Sequence, residues 1–235
     1  VAINDINPDL NNIAYLIKYD STYGKLKSSI SINKDQLTIN KKKIKFSNKT
    51  RIDEVNWKKF NVDYIIDSSG VKKNLVLSKK LIKKVKNIIV TNSPGPQYVD
   101  KTLIYGVNDN SFDRSKDFLI SSSICDATAL APILKVVNNL FEIKKGFVTT
   151  LHPWLGYQNL LDGPSKSYAV PGQIIDNYAL GRASPNSLIP KNTSAIKATY
   201  EVLPVLRNKF IANSFRIPTS IVSSADVVLE LKKKP

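Results

Sequence analysis

Segments typical of strands and helices alternate along the first half of the chain, and this alternation restricts the possible folds most strongly. The spacing of apolar residues and the positions of Pro, Gly and Ser set the predicted limits of each element. The predicted elements are a strand at 1–5, a helix from Pro8 to Ile17, a hairpin of 37–40 and 44–46, a strand at 62–67, a helix over 74–85 and a strand at 88–91. Such alternation predicts an α/β fold with a mostly parallel sheet and helices on its faces.

Polar residues directly follow several of these predicted strands. Asp5, Ser68, Ser69 and Thr91 stand at or next to the carboxyl ends of the strands, where α/β sheets bind their ligands. Serine and aspartate are also ordinary loop and capping residues. Position alone therefore leaves both a binding role and a structural role open for each of them.

The pattern changes after about residue 124, which indicates a second domain. Its predicted elements are a helix from Cys125, a strand at 146–151, an irregular stretch at 156–192, a helix at 195–206 and strands at 210–217 and 221–231. A long irregular stretch inside a compact domain is usually functional.

The chain contains one cysteine and one histidine, and each stands beside a predicted element. Cys125 opens a helix, whose positive dipole end favours a thiolate. His152 follows a strand and would serve as a general base or electrostatic partner if it lay near the thiol. The spacing also allows a buried structural cysteine and an unrelated histidine. No metal site is predicted, because one Cys and one His supply too few soft ligands.

The amino-acid composition limits which classes of protein and which binding partners are expected. A hydrophobic fraction of 42% favours a globular protein, and the single cysteine, which permits no internal disulfide, suits a reducing, cytoplasmic location. The formal net charge is +16, but arginine is scarce and aromatic residues are not interleaved with the lysine runs, so specific nucleic-acid binding is not predicted. No apolar stretch approaches the length of a membrane span, so no membrane partner is expected.

Several segments resemble the glyceraldehyde-3-phosphate dehydrogenase family, in the family's order and at comparable spacing. They are residues 1–5, 10–11, 18–25, 67–71, 106–108, 130–132, 148–152, 162–165, 189–190 and 215–219. The resemblance implies a Rossmann-type dinucleotide-binding domain at 1–124, followed by an α+β catalytic domain at 125–235. The family's opening strand and glycine-rich turn would precede Val1, and its closing strand and last helix would follow residue 235. With no methionine in the chain, we expect a piece of a longer protein that binds NAD poorly on its own.

The resemblance also implies a chemistry, that of an NAD-dependent aldehyde dehydrogenase of carbohydrate metabolism. Cys125 would attack an aldehyde to give a thiohemiacetal and then a thioester, and His152 would activate the thiol and steady the oxyanion. The cofactor-binding positions would be Asp5, Ser68, Ser69 and Thr91, and the substrate-binding positions Arg216, Thr193, Asp126 and Arg182. An acid at Asp5 favours NAD over NADP. A homotetramer of the full-length parent is implied by the family alone.

The segment around the cysteine departs from the family's pattern. Hydroxyl or small residues of the family are replaced by Ile124, Asp126, Leu155, Tyr157 and, after Thr193, Ser194. Asp126 matters most, because a carboxylate there repels phosphate and opposes thiolate formation. Alternatively, Asp126 turns away and caps the helix.

These departures predict a divergent enzyme whose dependence on inorganic phosphate is weakened or absent. The segment 152–155 indicates a bulkier, more apolar pocket, and Arg216 and Arg182 indicate a small anionic aldehyde as substrate. Two alternatives stay open. One is an enzyme for a related sugar-phosphate aldehyde such as erythrose-4-phosphate, and the other is a catalytically silent binding homologue. The retention of both Cys125 and His152 argues against the silent homologue.

Overall fold

A computed structural model of the chain describes residues 1–167 and 170–235. The chain divides into two compact units, the first made of residues 1–66 and 72–88 and the second of residues 67–71 and 89–235. This division reflects packing alone. The boundary at 124/125, drawn from the sequence, concerns function and stays a prediction.

The first unit contains a small mixed sheet and a helix that packs on it. Its strands are β1 (Ala2–Asn4), β2 (Tyr19–Asp20), β3 (Gly24–Lys25), β4 (Ile30–Asn33), β5 (Gln36–Ile39) and β6 (Lys42–Ser47), and its helices are α1 (Leu10–Lys18), α2 (Trp57–Phe60) and α3 (Lys72–Ser78). The sheet has the order β1-β6-β5-β4, with β1 parallel to β6 and the other pairs antiparallel. Strands β2 and β3 form a separate antiparallel pair.

Local hydrogen bonds set where the first unit's helices begin and end. The Asp9 carboxylate accepts from the backbone N–H groups of Asn11 and Asn12, so α1 begins after Pro8 and buries Leu10 and Ala14 against the sheet. Helix α3 ends earlier than the predicted residue 85. Its last residue, Ser78, donates its hydroxyl to the Asn74 carbonyl, and a 3₁₀ turn follows.

A further four-stranded sheet supplies the α/β character that the sequence predicts. Its strands are β7 (Tyr64–Asp67), β8 (Asn87–Val90), β9 (Lys101–Thr102) and β10 (Leu119–Ser121), in the order β7-β8-β10-β9. Strands β9 and β10 run parallel. The backbone N–H of Thr91 donates to the Asp67 carbonyl over 3.1 Å, so the segments that follow β7 and β8 lie side by side.

The second unit is completed by two helices and a mixed sheet. Its remaining elements are α4 (Cys125–Phe141), β11 (Ile143–His152), β12 (Ile189–Pro190), α5 (Ala195–Val202), β13 (Phe210–Arg216) and β14 (Ser224–Leu231). The sheet has the order β12-β13-β11-β14, with β11 parallel to β13 and antiparallel to β14. Helix α5 ends short of the predicted residue 206, because Pro204 opens a 3₁₀ turn.

Helix α4 packs with one face on the core of the second unit. Ala127, Leu130, Ala131 and Leu134, at helical spacing, are all buried there. This packing fixes the rotation of the helix, and therefore the direction in which its first residues face. Among the described residues, no helix is long and apolar enough to span a membrane.

The described part of the irregular stretch at 156–192 contains only short elements. They are 3₁₀ turns at Tyr178–Gly181 and Ser184–Asn186 and the two-residue strand β12. A close approach of two glycines shapes this region. The Gly163 N–H donates to the Gly181 carbonyl over 2.9 Å, and a Cβ on Gly181 would lie only 2.2 Å from the Gly163 oxygen.

Candidate active site

Cys125 is the first residue of helix α4, and it is an exposed residue whose thiol is partly buried. Ile124 precedes it in extended conformation and provides no side-chain cap. The buried residues of α4 begin directly after the cysteine, with Asp126 and Ala127. The packing of the helix therefore leaves Cys125 at the surface.

The register between two parallel strands places the histidine beside an arginine. His152 in β11 lies opposite Arg216 in β13, and two residues earlier Thr150 lies opposite Ser214. All four side chains are buried, with His152 4% and Arg216 8% exposed. Two predicted site residues far apart in sequence are thus neighbours because of strand pairing.

Asp126 connects the thiol with the imidazole. Its Oδ1 atom lies 3.2 Å from His152 Nε2 and 3.8 Å from Cys125 Sγ. The ligand atoms of the three residues all lie within 4.8 Å of one another. Of the two roles that the sequence left open for Asp126, the geometry agrees with the one in which the carboxylate acts on the thiol.

A chain of hydroxyl groups orients the histidine. His152 Nε2 lies 3.2 Å from Thr150 Oγ1, which in turn lies 2.8 Å from Ser214 Oγ. On the other side of the ring, Ser223 Oγ lies 3.4 Å from Nδ1. The Nε2 atom therefore faces both a hydroxyl and a carboxylate, and the ring is held at both nitrogens.

The pKa of the Cys125 thiol is raised above its ordinary value. Partial burial is the largest cause, and the negative charge of Asp126 adds to it. The backbone of Asp126 at the helix N-terminus and the positive charge of Lys191 act in the opposite direction. The helix terminus does favour the thiolate as predicted, but burial and the neighbouring carboxylate outweigh it.

Lys191 is a site residue that sequence reasoning missed. It follows β12, where its backbone N–H donates to the Ser214 carbonyl over 3.0 Å. Burial and the charge of Arg216 lower its pKa, while Asp126 and Cys125 raise it, so its ammonium group is coupled to all three. Its place directly after the Ile189–Pro190 segment of the resemblance was an available signal, but it was hidden among many lysines.

Two hydrogen bonds to the protein hold the guanidinium group of Arg216. Its Nη1 donates to the Pro153 carbonyl over 3.0 Å and its Nη2 to the Tyr157 hydroxyl over 3.3 Å. Its buried Nε has no hydrogen-bond partner among the described residues. Trp154 and Leu155, next to this guanidinium group, are partly exposed. A guanidinium in such a position suits an anionic ligand.

Thr193 and Arg182, predicted as substrate-binding residues, make local contacts. Thr193 Oγ1 accepts from the Ala195 backbone N–H over 3.1 Å at the start of α5. Arg182 pairs with Asp162 over 3.0 Å, and both side chains are exposed. Within the described part of the chain, no hydrogen bond or ion pair joins either residue to Cys125. Their roles toward the substrate stay predictions.

The predicted cofactor-binding residues lie at the carboxyl ends of strands. In the first unit, Asp5 follows β1, is exposed, and accepts from the Asn7 N–H over 2.8 Å. In the second unit, Ser68 and Ser69 follow β7 and Thr91 follows β8, and all three are exposed. Their roles toward the cofactor stay predictions.

Comparison with known proteins agrees with this arrangement. Residues 1–75 match the model described as the glyceraldehyde-3-phosphate dehydrogenase NAD binding domain, and residues 124–235 match the C-terminal domain of the same enzyme. The match of the first model supports NAD as the cofactor.

Curated relatives named glyceraldehyde-3-phosphate dehydrogenase 1 match nearly the whole chain. The protein from Trichormus variabilis is 36% identical over 234 residues, which are 99% of this chain and 65% of the relative. The Bacillus subtilis protein is 34% identical, covering 100% of this chain and 66% of the relative. The Kluyveromyces marxianus protein is 35% identical, covering 99% and 67%. The chain thus spans about two thirds of these relatives' length. The resemblance seen in the sequence is confirmed, and the chain belongs to the glyceraldehyde-3-phosphate dehydrogenase family.

Proposed function

We propose that this protein is an NAD-dependent oxidoreductase that acts on a small anionic aldehyde through Cys125. The observation that carries the proposal is the cluster of Cys125, Asp126 and His152 at the N-terminus of α4, within 4.8 Å of one another. An exposed cysteine beside buried acid and imidazole groups is the arrangement that covalent catalysis needs.

The residues of the cluster have separate tasks in this proposal. The Cys125 thiol loses its proton to the Asp126–His152 pair, and the sulfur attacks the aldehyde carbon to form a thiohemiacetal. His152 Nε2, held by Thr150, then donates a hydrogen bond to the developing oxygen. Bound NAD would supply the hydride acceptor for that carbon, so that oxidation of the thiohemiacetal would leave a thioester on Cys125.

Arg216 would hold the anionic group of the substrate. Its guanidinium group is held by Pro153 and Tyr157, and its Nε–H is left without a protein acceptor among the described residues. Lys191, coupled to the same site, adds a second positive charge. The nearby Trp154 and Leu155 provide apolar surface for a bulkier substrate. A related sugar-phosphate aldehyde such as erythrose-4-phosphate is therefore one member of the substrate class to test.

The altered phosphate site is the finer part of the proposal. Asp126 stands where the family's pattern has a hydroxyl residue, and its carboxylate is buried beside the thiol. Tyr157, in place of a phosphate-binding threonine, is already bonded to Arg216. A phosphate that attacks the thioester would meet a negative charge at close range. Release of the thioester to water or another acceptor is therefore favoured over phosphorolysis.

Asp5 supports NAD rather than NADP, because an acid at the end of β1 repels a 2′-phosphate. A cytoplasmic homotetramer in carbohydrate metabolism follows from the family resemblance, and light scattering on the purified protein tests the assembly.

The decisive experiment follows NADH formation by the full-length parent protein with a panel of aldehydes, with and without inorganic phosphate. Glyceraldehyde-3-phosphate, erythrose-4-phosphate and their dephosphorylated forms test the role of Arg216. Turnover that is abolished in Cys125→Ala and indifferent to phosphate is the expected result. Turnover that requires phosphate would contradict the altered phosphate site.

A thiol assay separates the enzyme from a silent binding homologue. Aldehyde substrates should protect Cys125 from iodoacetamide, because the thiohemiacetal occupies the sulfur. No turnover together with no protection by any aldehyde would refute the catalytic proposal and favour the silent homologue.

A further inference from the structure

We propose that Cys125, Asp126 and His152 form a binding site for a soft divalent metal ion such as Zn²⁺, which masks the thiol. The sequence predicted no metal site because it counted only the cysteine and the histidine. The structure adds a third ligand, the carboxylate of Asp126, at hydrogen-bonding distance from the imidazole. The inference concerns metal binding and does not depend on the proposed enzymatic activity.

The three ligand atoms are spaced nearly as a tetrahedral zinc site requires. With zinc–ligand bonds of about 2.0–2.3 Å, tetrahedral ligand atoms lie about 3.3–3.8 Å apart. The observed separations are 3.2 Å between Asp126 Oδ1 and His152 Nε2 and 3.8 Å between Asp126 Oδ1 and Cys125 Sγ. Sγ and Nε2 lie within 4.8 Å of each other. A tetrahedral site would therefore require the Cys125 side chain to rotate toward the imidazole.

The surroundings of the histidine suit a ligand that binds through Nε2. Metal-bound histidines donate their other ring N–H to a protein acceptor, which fixes the tautomer. Here Ser223 Oγ lies 3.4 Å from His152 Nδ1 and can accept that hydrogen bond. His152 and Asp126 are buried and Cys125 is exposed, so a metal ion would enter from the thiol side and keep a fourth position open to water.

The charges allow binding and limit its strength. Binding requires Cys125 to release its thiol proton, and the thiolate with the Asp126 carboxylate then balances the two charges of the metal ion. Lys191 and Arg216 are the nearby cations that oppose binding.

The single cysteine makes the test unambiguous. Co²⁺ bound to a thiolate gives a ligand-to-metal charge-transfer band in the near ultraviolet, and in this chain the band can arise only from Cys125. Titration of the purified chain with Co²⁺ alone should give this band with one metal ion per chain, and Zn²⁺ should displace it. Absence of the band would overturn the proposal.

Variants show whether all three residues are ligands. Asp126→Asn and His152→Gln should each weaken Co²⁺ binding by about tenfold or more. The matched control Asp162→Asn, at an exposed aspartate, should bind as the unchanged chain does. Equal affinity in Asp126→Asn and the control would overturn the carboxylate's role.

A measurement on the unchanged chain covers the case in which these variants fail to fold. Zn²⁺ should protect Cys125 from iodoacetamide over the same concentration range in which it displaces Co²⁺, and unprotected alkylation at saturating Zn²⁺ would refute the site. Metal binding and aldehyde turnover are measured separately, so failure of either proposal leaves the other testable.

Discussion

Replacement of Asp126 by asparagine should make Cys125 more reactive near neutral pH. The Asp126 carboxylate raises the pKa of the thiol, because its Oδ1 lies 3.8 Å from Sγ and it repels a thiolate. Asparagine keeps the size of the side chain and removes the charge. The substitution should lower the thiol pKa, because it removes a negative charge beside the sulfur.

The size of the effect follows from the distance. Two unit charges 3.8 Å apart interact by about 1 kcal/mol in water and about 4 kcal/mol at an effective dielectric constant of 20. Because Cys125 is exposed, we expect the lower part of this range, about 1–2 kcal/mol. The thiol pKa should then fall by roughly one pH unit. A thiolate of lower pKa is also a weaker nucleophile, so the net gain in alkylation rate at neutral pH is about threefold.

The assay is the second-order rate of alkylation by iodoacetamide, measured from about pH 6 to pH 11 on folded protein. In Asp126→Asn the profile should shift to lower pH, and its plateau at high pH should be lower, by about threefold. The two profiles should therefore cross, whereas a general increase in accessibility would raise the rate at every pH. Asp162→Asn serves as the control. Superimposed profiles, or a shift to higher pH, would refute the reasoning.

Three further predictions concern stability and binding. Thr150→Val leaves the buried hydrogen-bond partners of the hydroxyl unsatisfied. It should therefore lower the free energy of unfolding, measured by urea titration, by about 1–3 kcal/mol. The control Thr149→Val should lower it less. Arg216→Lys loses the bidentate guanidinium and should raise the KM for an anionic aldehyde about tenfold or more, whereas Arg207→Lys, at an exposed arginine with no predicted site role, should change the KM little. Asp53, whose pKa its cationic partners lower to about 2, should stabilise the fold fully above about pH 4 and lose this effect as the pH falls toward 2.

Each of these has a result that contradicts it. Equal stabilities of Thr150→Val and Thr149→Val would show that the hydroxyl chain adds nothing. A larger increase in KM in Arg182→Lys than in Arg216→Lys would assign the anion-binding site to Arg182. An unchanged acid dependence of the urea midpoint in Asp53→Asn would remove Asp53 from the groups that link stability to pH.

The fold was largely predictable because local patterns determine it. Alternating apolar segments predicted α1, the hairpin of β5 and β6, and strands β7 and β8 to within a few residues. The helix at Cys125 and the strand before His152 were likewise visible, since each has a strong period of apolar residues. Errors arose at the ends of elements, such as the end of α3, where a 3₁₀ turn follows Ser78. The short strand β4 was missed, although its residues Ile30–Asn33 alternate between apolar and polar.

The arrangement of the site was less predictable because it depends on long-range pairing. The register of β11 on β13 brings His152 beside Arg216, and nothing local in either segment reveals that register. Lys191 reaches the site through the position of β12, and among so many lysines its sequence signal was weak. The direction of the Asp126 carboxylate depends on how α4 packs. The sequence is compatible with a carboxylate that faces the thiol and with one that caps the helix, and it does not distinguish between them.

One substitution, Asp126→Thr, joins the proposals about Asp126 in a single test, because one charge underlies all of them. Without that charge the thiolate forms more easily, so alkylation at neutral pH should be faster. Phosphate no longer meets a negative group, so aldehyde oxidation should become more responsive to it. The metal loses a ligand, so Co²⁺ binding should weaken. A protein that was merely disrupted would lose turnover and metal binding together and gain no response to phosphate. A gain in two measurements with a loss in the third therefore identifies the charge itself as the cause.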